Sequence, residues 1–278
     1  MKIGIVMFAT DEAIAITDLA RACEERGFES LFVPEHSHIP VSRKSPWPGG
    51  PELPRFYYRT LDPFVALGAA AAVTSTLKLG TGVALVVQRD PIHLAKEVAS
   101  LDHISGGRVL LGVGGGWNRE EMADHGTDPK TRWTVLRERV LACKEIWRHD
   151  EAEYHGEFVD FDPLFAWPKP AQLPPVLVGG DGAGAFDRVL DYGDGWMPIN
   201  RFAPGGFAAR AGELQKLAAD RGRAPVPVTM FGGKATEEAV AEYVELGLDR
   251  CLFIAPPESA DTVLPHLDML AKLTESVR

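Results

Sequence analysis

Acid–base chemistry needs a group that gains and loses a proton near neutral pH. Residues 35–38, Glu35-His36-Ser37-His38, offer an imidazole beside a carboxylate. They follow a short apolar run, residues 30–34 (SLFVP), and so stand at the end of a strand. His36, with Glu35 as its neighbour, is the candidate for proton transfer or substrate orientation. A buried histidine with a purely structural role would have the same pattern. His-x-His after a strand also fits a metal site, which would need further ligands at later strand ends. His93, His103 and His125 do not fall at such ends, so no metal is expected.

Glycines mark two further stretches. Gly114-Gly115-Gly116, followed by Trp117 and Glu120, ends the apolar run 109–113. It lacks the spacing of a dinucleotide fingerprint, but lets a planar ring or phosphate chain approach the backbone. Glu120 reads either as a ligand contact or as a solvated residue in the first turn of a helix. Gly179-Gly180-Asp181-Gly182 lies where a strand hands over to a helix, and free N–H groups there can hold a phosphate. The same residues also fit a tight turn with Asp181 as the helix N-cap. No G-x-S-x-G nucleophile elbow and no P-loop is present.

The composition sets limits on partners. At 278 residues, 45% hydrophobic and 24% charged, the chain can bury a large core. A net charge of -10 argues against nucleic acid or an acidic membrane surface as the main partner. Cys23, Cys143 and Cys251 have no metal-ligand spacing and fall at core positions of predicted elements. The N-terminus enters a strand at once with no signal-peptide pattern, and no apolar run reaches the ~20 residues of a membrane span. A cytoplasmic location is therefore expected.

The elements that must position these residues alternate along the chain. Strands are predicted over 2–8, 30–34, a third ending at 80–82, 109–113, 176–179, 195–198, 226–231 and 250–254. Helices are predicted over 11–26, from 62 toward 77, 90–105, 132–148, to about 192, 206–221, 236–246 and 261–272. Asp62-Pro63 and Asp90-Pro91 each pair an N-cap with a proline at the first helical position. Eight strand–helix alternations point to one closed (β/α)8 TIM barrel over residues 1–278, rather than an open doubly wound sheet. Residues 35–59, rich in Pro, Gly and aromatics, form a loop too long to be a mere connector. Trp47, Phe56, Tyr57 and Tyr58 in it suit a lid over a flat ligand, a small core of the loop's own, or a dimer contact. A small hairpin around 154–158 precedes the fifth barrel strand. The barrel would gather Glu35-His36, Gly82-Val83, Gly114 to Trp117 and Gly179 to Gly182 at one mouth.

Residues 79–121, LGTGVALVVQRDPIHLAKEVASLDHISGGRVLLGVGGGWNREE, also resemble a signature of the bacterial-luciferase-like family of flavin and deazaflavin oxidoreductases. The matching residues include Gly80-Thr81-Gly82-Val83, Arg89-Asp90-Pro91, Ser105-Gly106-Gly107-Arg108 and Gly116-Trp117 with Glu120-Glu121. The branch using deazaflavin coenzyme F420 is the most similar. The resemblance implies a luciferase-like TIM barrel and a non-proline cis peptide at Gly82-Val83 supporting the cofactor ring. It further implies a cofactor contact at Glu120 and phosphate binding at Gly179 and Gly180; Gly114 and Gly115 are cofactor-contact candidates from their glycine loop, and the charge of Asp181 is expected to turn it away as a helix cap. His36, beside Glu35, would contact the reacting face. Trp117 departs from the acidic proton donor of a deazaflavin sugar-phosphate dehydrogenase, which makes it a binding residue and puts that reaction in doubt. The implied activity is hydride transfer between deazaflavin C5 and a small organic substrate, in a homodimer. An FMN-dependent monooxygenase and a non-catalytic flavin-binding barrel are the alternatives.

Overall fold

The computed structural model describes residues 1–203 and 205–277. The chain opens with four parallel strands, β1 (Lys2–Val6), β2 (Ser30–Val33), β3 (Lys78–Thr81) and β4 (Val109–Val113). An antiparallel hairpin, β5 (Glu151–His155) and β6 (Asp160–Phe165), stands apart from them. Four more parallel strands complete the sheet: β7 (Val176–Gly179), β8 (Gly195–Met197), β9 (Thr229–Phe231) and β10 (Arg250–Ile254). β10 pairs with β1, and the bridges Trp196–Val228 and Ile199–Phe231 draw β8 to β9. The expected eight-stranded barrel is thus present. β9 is shorter than the apolar run 226–231 because Pro225 and Pro227 donate no ladder hydrogen bond. The Pro227 carbonyl still accepts from Trp196 N–H at 3.0 Å.

Helices cover the barrel: α1 (Ile16–Glu25), α2 (Pro63–Ala71), α3 (Pro91–Ser105), α4 (Arg119–Asp124), α5 (Arg132–Arg148), α6 (Ala185–Tyr192), α7 (Gly206–Asp220), α8 (Glu237–Glu245) and α9 (Ala260–Leu273). The Asp-Pro starts behave as their sequence implies. Asp62 accepts from the amides of Phe64 and Val65 at 2.9 and 3.0 Å, and Asp90 from that of His93 at 2.9 Å. Gly106 closes α3 at φ 69, in the left-handed region that glycine tolerates.

Two helices are shorter than the sequence pattern suggests, for identifiable reasons. Asp11 and Glu12 belong to a turn before α1, where their carboxylates bind Arg59 and Arg55 at 2.8 and 2.9 Å and tether the long loop after β2. α2 stops at Ala71, where the buried Arg108 guanidinium takes over the free carbonyls of Ala71, Thr74 and Leu77 at 3.0, 3.0 and 2.8 Å. Asp102 is also buried and accepts from the amides of Val109 and Gln172. These family-signature residues therefore hold the end of the barrel away from the mouth. The hairpin is wider than residues 154–158, and its turn docks on α5. There the buried Glu138 carboxylate accepts from the amides of Glu157, Phe158 and Val159.

The main core lies between barrel and helices, and a second cluster fills the barrel: Val6, Phe32, Leu110, Leu177, Met197 and Leu252. Val83 and Phe231 pack on this inner cluster and are only partly buried. All three cysteines are buried and unpaired, and burial pushes the Cys251 thiol up to about 12. Among the described residues no helix is long and apolar enough to cross a membrane.

Candidate active site

β2 delivers Glu35 and His36 to the mouth, and they turn in different directions. The Glu35 carboxylate accepts from Leu85 N–H at 2.6 Å and from Arg89 Nε and Nη2 at 2.8 and 2.5 Å. Arg89 also donates to Glu97 at 2.9 Å and to the helix-capping Asp62 at 2.5 Å, with its guanidinium over the Phe64 ring. Burial alone would ease proton loss from Arg89, but Glu35 and Asp62 outweigh it and hold the guanidinium charged. Glu35 thus shares no hydrogen bond with His36. Its carboxylate is a structural tie between the ends of β2, β3, α2 and α3, which corrects the expectation of a proton-transfer neighbour.

The His36 side chain is buried against aromatics. Its Nδ1 lies 2.8 Å from Glu121 Oε2, while Trp117 Nε1 donates toward its Nε2 at 3.3 Å. A carboxylate beside Nδ1 and a donor beside Nε2 select the tautomer with its proton on Nδ1 and a lone pair on Nε2. Glu121 is 1% exposed and also accepts from Ser37 N–H at 3.0 Å. Asn118, the N-cap of α4, accepts from Glu121 N–H and so places the first turn of that helix. Glu121 is the residue to which the sequence reading assigned no role. The signal for it was its position three residues after Asn118, on the inner face of a capped first turn. The Ser37 hydroxyl meets His125 Nε2 at 2.7 Å and His38 Nδ1 at 2.9 Å, and His38 Nε2 reaches Asp124 at 3.0 Å. Among the described residues no group of three or more His, Cys, Asp or Glu side chains could hold a metal ion.

The neighbouring Glu120 faces outward and secures the long loop. It accepts from Ser45 N–H at 2.9 Å, from the Ser45 hydroxyl, and from the Ser42 hydroxyl at 3.3 Å. The Ser45 hydroxyl bond holds its carboxyl down to about 2. Three aromatic residues of that loop, Trp47, Phe56 and Tyr57, form a continuous wall. Tyr57 packs within 4.8 Å of Phe8, 5.2 Å of His36, 5.7 Å of Trp47 and 6.4 Å of Trp117. Trp47 and Tyr57 are half-buried beside His36 and screen it, whereas Tyr58 is exposed.

The glycine turns are shaped around one side chain. The Gly82–Val83 peptide is cis, as the family resemblance implied. Val83 then wedges between two strand ends: a Cβ on Gly114 or Gly179 would come within 2.6 or 2.8 Å of its methyl groups. Gly115 lies under the Trp133 indole, where a Cβ would come within 2.8 Å. Gly180 adopts φ 98, and its N–H donates to Met197 O at 3.2 Å while its carbonyl accepts from Trp196 Nε1 at 2.8 Å. Its amide is therefore engaged, and the described amides near the start of α6 without a partner are those of residues 181–184 together with Phe186 and Asp187 in the first turn. Asp181 caps no helix, because α6 begins after Gly184 and has no side-chain cap. The turn thus offers phosphate-binding donors slightly later in the chain than Gly179-Gly180.

Comparison with known proteins identifies the relatives of this chain. The model of the luciferase-like monooxygenase family matches residues 1–254. An uncharacterised protein of Mycobacterium tuberculosis is 44% identical over 277 residues, 98% of both chains. The F420-dependent hydroxymycolic acid dehydrogenase of that organism is 28% identical over 202 residues, 70% of this chain and 52% of that protein. Among solved structures, the monooxygenase RslO1 of Streptomyces bottropensis superposes with a TM-score of 0.83 at 19% identity, covering 99% of both chains. An F420-dependent secondary alcohol dehydrogenase gives 0.79 at 20% identity over 100% of both.

Two outcomes follow from the ties around His36. Arg89→Met strands the buried Glu35 charge and should cost about 3 kcal/mol or more in urea unfolding, whereas Glu35→Gln/Arg89→Met should cost less than that single change. A single-variant loss below about 1 kcal/mol would show that the pair is not structural. Glu120 is held below its ordinary value, so its contribution is present above about pH 4 and lost as pH falls toward about 2. Glu120→Gln should loosen residues 42–47 at neutral pH, read by hydrogen exchange, and the difference from the parent should vanish in that acid window. A difference that persists at pH 2 would count against the anchor.

Proposed function

This chain belongs to the luciferase-like monooxygenase family, and from that premise we propose an oxidoreductase that uses F420 to exchange hydride with a small organic substrate. The observation that carries the reading is the mouth itself, where Val83 lies between two side-chain-free strand ends at Gly114 and Gly179, and His36 is pinned nearby by Glu121. The signature in residues 79–121 and the relative named for F420 favour the deazaflavin. Residues 181–184 supply amides for a phosphate, and Val83 with Gly114 supplies a floor for a flat ring.

When bound, F420 would supply the hydride chemistry at C5. The protein's own groups manage water and protons. Tyr57, Trp47 and Trp117 exclude solvent from His36. Glu121 keeps the His36 proton on Nδ1, leaving Nε2 to take a proton from a substrate hydroxyl or, in the reverse direction, to orient one. Trp117 must yield Nε2 for that to happen. The substrate is accordingly a small organic molecule with a hydroxyl or carbonyl that can reach Nε2.

A second reading, an FMN-dependent monooxygenase, is supported by the likeness to a solved monooxygenase over the whole chain, while Trp117 speaks only against the sugar-phosphate dehydrogenase reaction. Fluorescence titration with F420 and with FMN separates the two. Micromolar affinity for F420 and at least about tenfold weaker FMN binding are expected. The reverse preference, with oxygen uptake by the reduced FMN complex, would move the assignment to the monooxygenase. His36→Ala should leave F420 affinity within about threefold and lower turnover at least about a hundredfold. Unchanged turnover would remove His36 from the chemistry.

A further inference from the structure

We propose that Arg132, Trp133, Arg188 and Tyr192 form a second anion-binding station, beyond the glycine turns, for an acidic chain of carboxylates carried by the cofactor. The inference rests on the F420 reading and deepens it. FMN ends in a single phosphate, whereas F420 continues from its phosphate into a lactyl group and a run of glutamates.

The station lies where the two glycine turns meet. Trp133, near the start of α5, covers Gly115, and its indole carries one guanidinium at 3.9 Å, Arg188, and another at 4.8 Å, Arg132. Arg188 reaches back from α6 over the 180–184 turn, donating to Ala183 O at 3.3 Å. The adjoining cavity of about 460 Å³ is lined by Trp133, Arg188 and Tyr192, among others.

Its charges are only partly compensated, since Asp187 acts on Arg188 from the same cavity wall. Arg137 and Arg221 line the same cavity, but each has a carboxylate at 2.6 Å, Asp191 and Asp187 respectively. No carboxylate pairs with Arg132 or Arg188 among the described residues, and the Nε of each is buried without a hydrogen-bond partner. The Tyr192 side chain is 3% exposed, and its hydroxyl likewise has no partner. Burial raises the Tyr192 hydroxyl, so it stays protonated and remains a donor. Burial also lowers Arg188, and Arg132 beside it lowers it further. Two cations on one ring repel each other, and an anion bound nearby would relieve that repulsion. Guanidinium forks suit carboxylates, and a neutral phenol adds a third donor.

The test is fluorescence titration of the purified full chain with F420 carrying its glutamates, with F420 trimmed to the lactyl phosphate, and with the ring and ribityl chain alone. Arg132→Gln, Arg188→Gln and the charge-keeping Arg188→Lys are compared with the parent at about 50 and about 300 mM salt. Glutamylated F420 should bind the parent about tenfold tighter than the trimmed form, an advantage that shrinks at the higher salt. Either glutamine variant should lose most of that advantage while changing affinity for the ring and ribityl chain less than about twofold, and Arg188→Lys should retain part of it. Equal affinity with and without glutamates, or equal weakening of all three probes, overturns the station but leaves the F420 reading standing. A parent that binds none of the three overturns that reading and the station with it.

Discussion

The mouth of this barrel depends on one buried ion pair. Glu35 leaves the end of β2, Arg89 precedes α3, and their contact gathers Leu85 of the turn after β3, Asp62 at the start of α2 and Glu97 of α3. Burying such a pair brings little net stability by itself, because desolvation offsets the Coulomb attraction. Its effect is on registry. With Glu35 turned to Arg89, successive side chains of an extended segment alternate, and His36 faces the aromatic wall and Glu121 instead. Removing the pair would free the turn after β3 and leave His36 held by Glu121 and the aromatic wall alone.

The same economy governs the floor. Strand ends that bring backbone close to a ligand usually need glycine for the ligand's sake. Here Gly114 and Gly179 are required first by the protein, since Val83 occupies the space their side chains would take. One valine therefore couples three strands, and its partly exposed face is the surface presented to whatever binds above it. Four hydrogen-bonded carboxylates with four different tasks surround this floor. Glu35 fixes the strand ends, Glu121 orients His36, Glu120 ties down the loop and Asp62 caps a helix.

How much of this was legible depended on the range of the interactions. Asp90-Pro91 and Gly106 announce α3 because caps are local, with donors and acceptors three or four residues apart. Eight apolar runs announce the barrel because burial on both faces needs little more than composition. The tasks of Glu35, Arg89 and Glu121 were not legible, since their partners lie 54 and 85 residues away and nothing in the spacing selects them. Asp181 shows the converse failure: it has the right type for a cap, yet the turn runs on to Gly184 before α6 begins. Asp11 and Glu12 resembled a helix start but serve Arg59 and Arg55 in the loop. Short-range rules lose to charge pairing across the fold in each of these places.

The central claim is that the protein holds His36 ready, as the Nδ1–H tautomer with Nε2 facing the Trp117 indole. The measurement that tests it most directly is the nitrogen NMR spectrum of histidine-labelled protein near pH 8, with the His36 signals identified by their loss in His36→Gln. The account predicts a protonated Nδ1 and an unprotonated Nε2 for this ring, and a shift of that balance in Glu121→Gln. An Nε2–H tautomer in the parent, insensitive to Glu121, would contradict it.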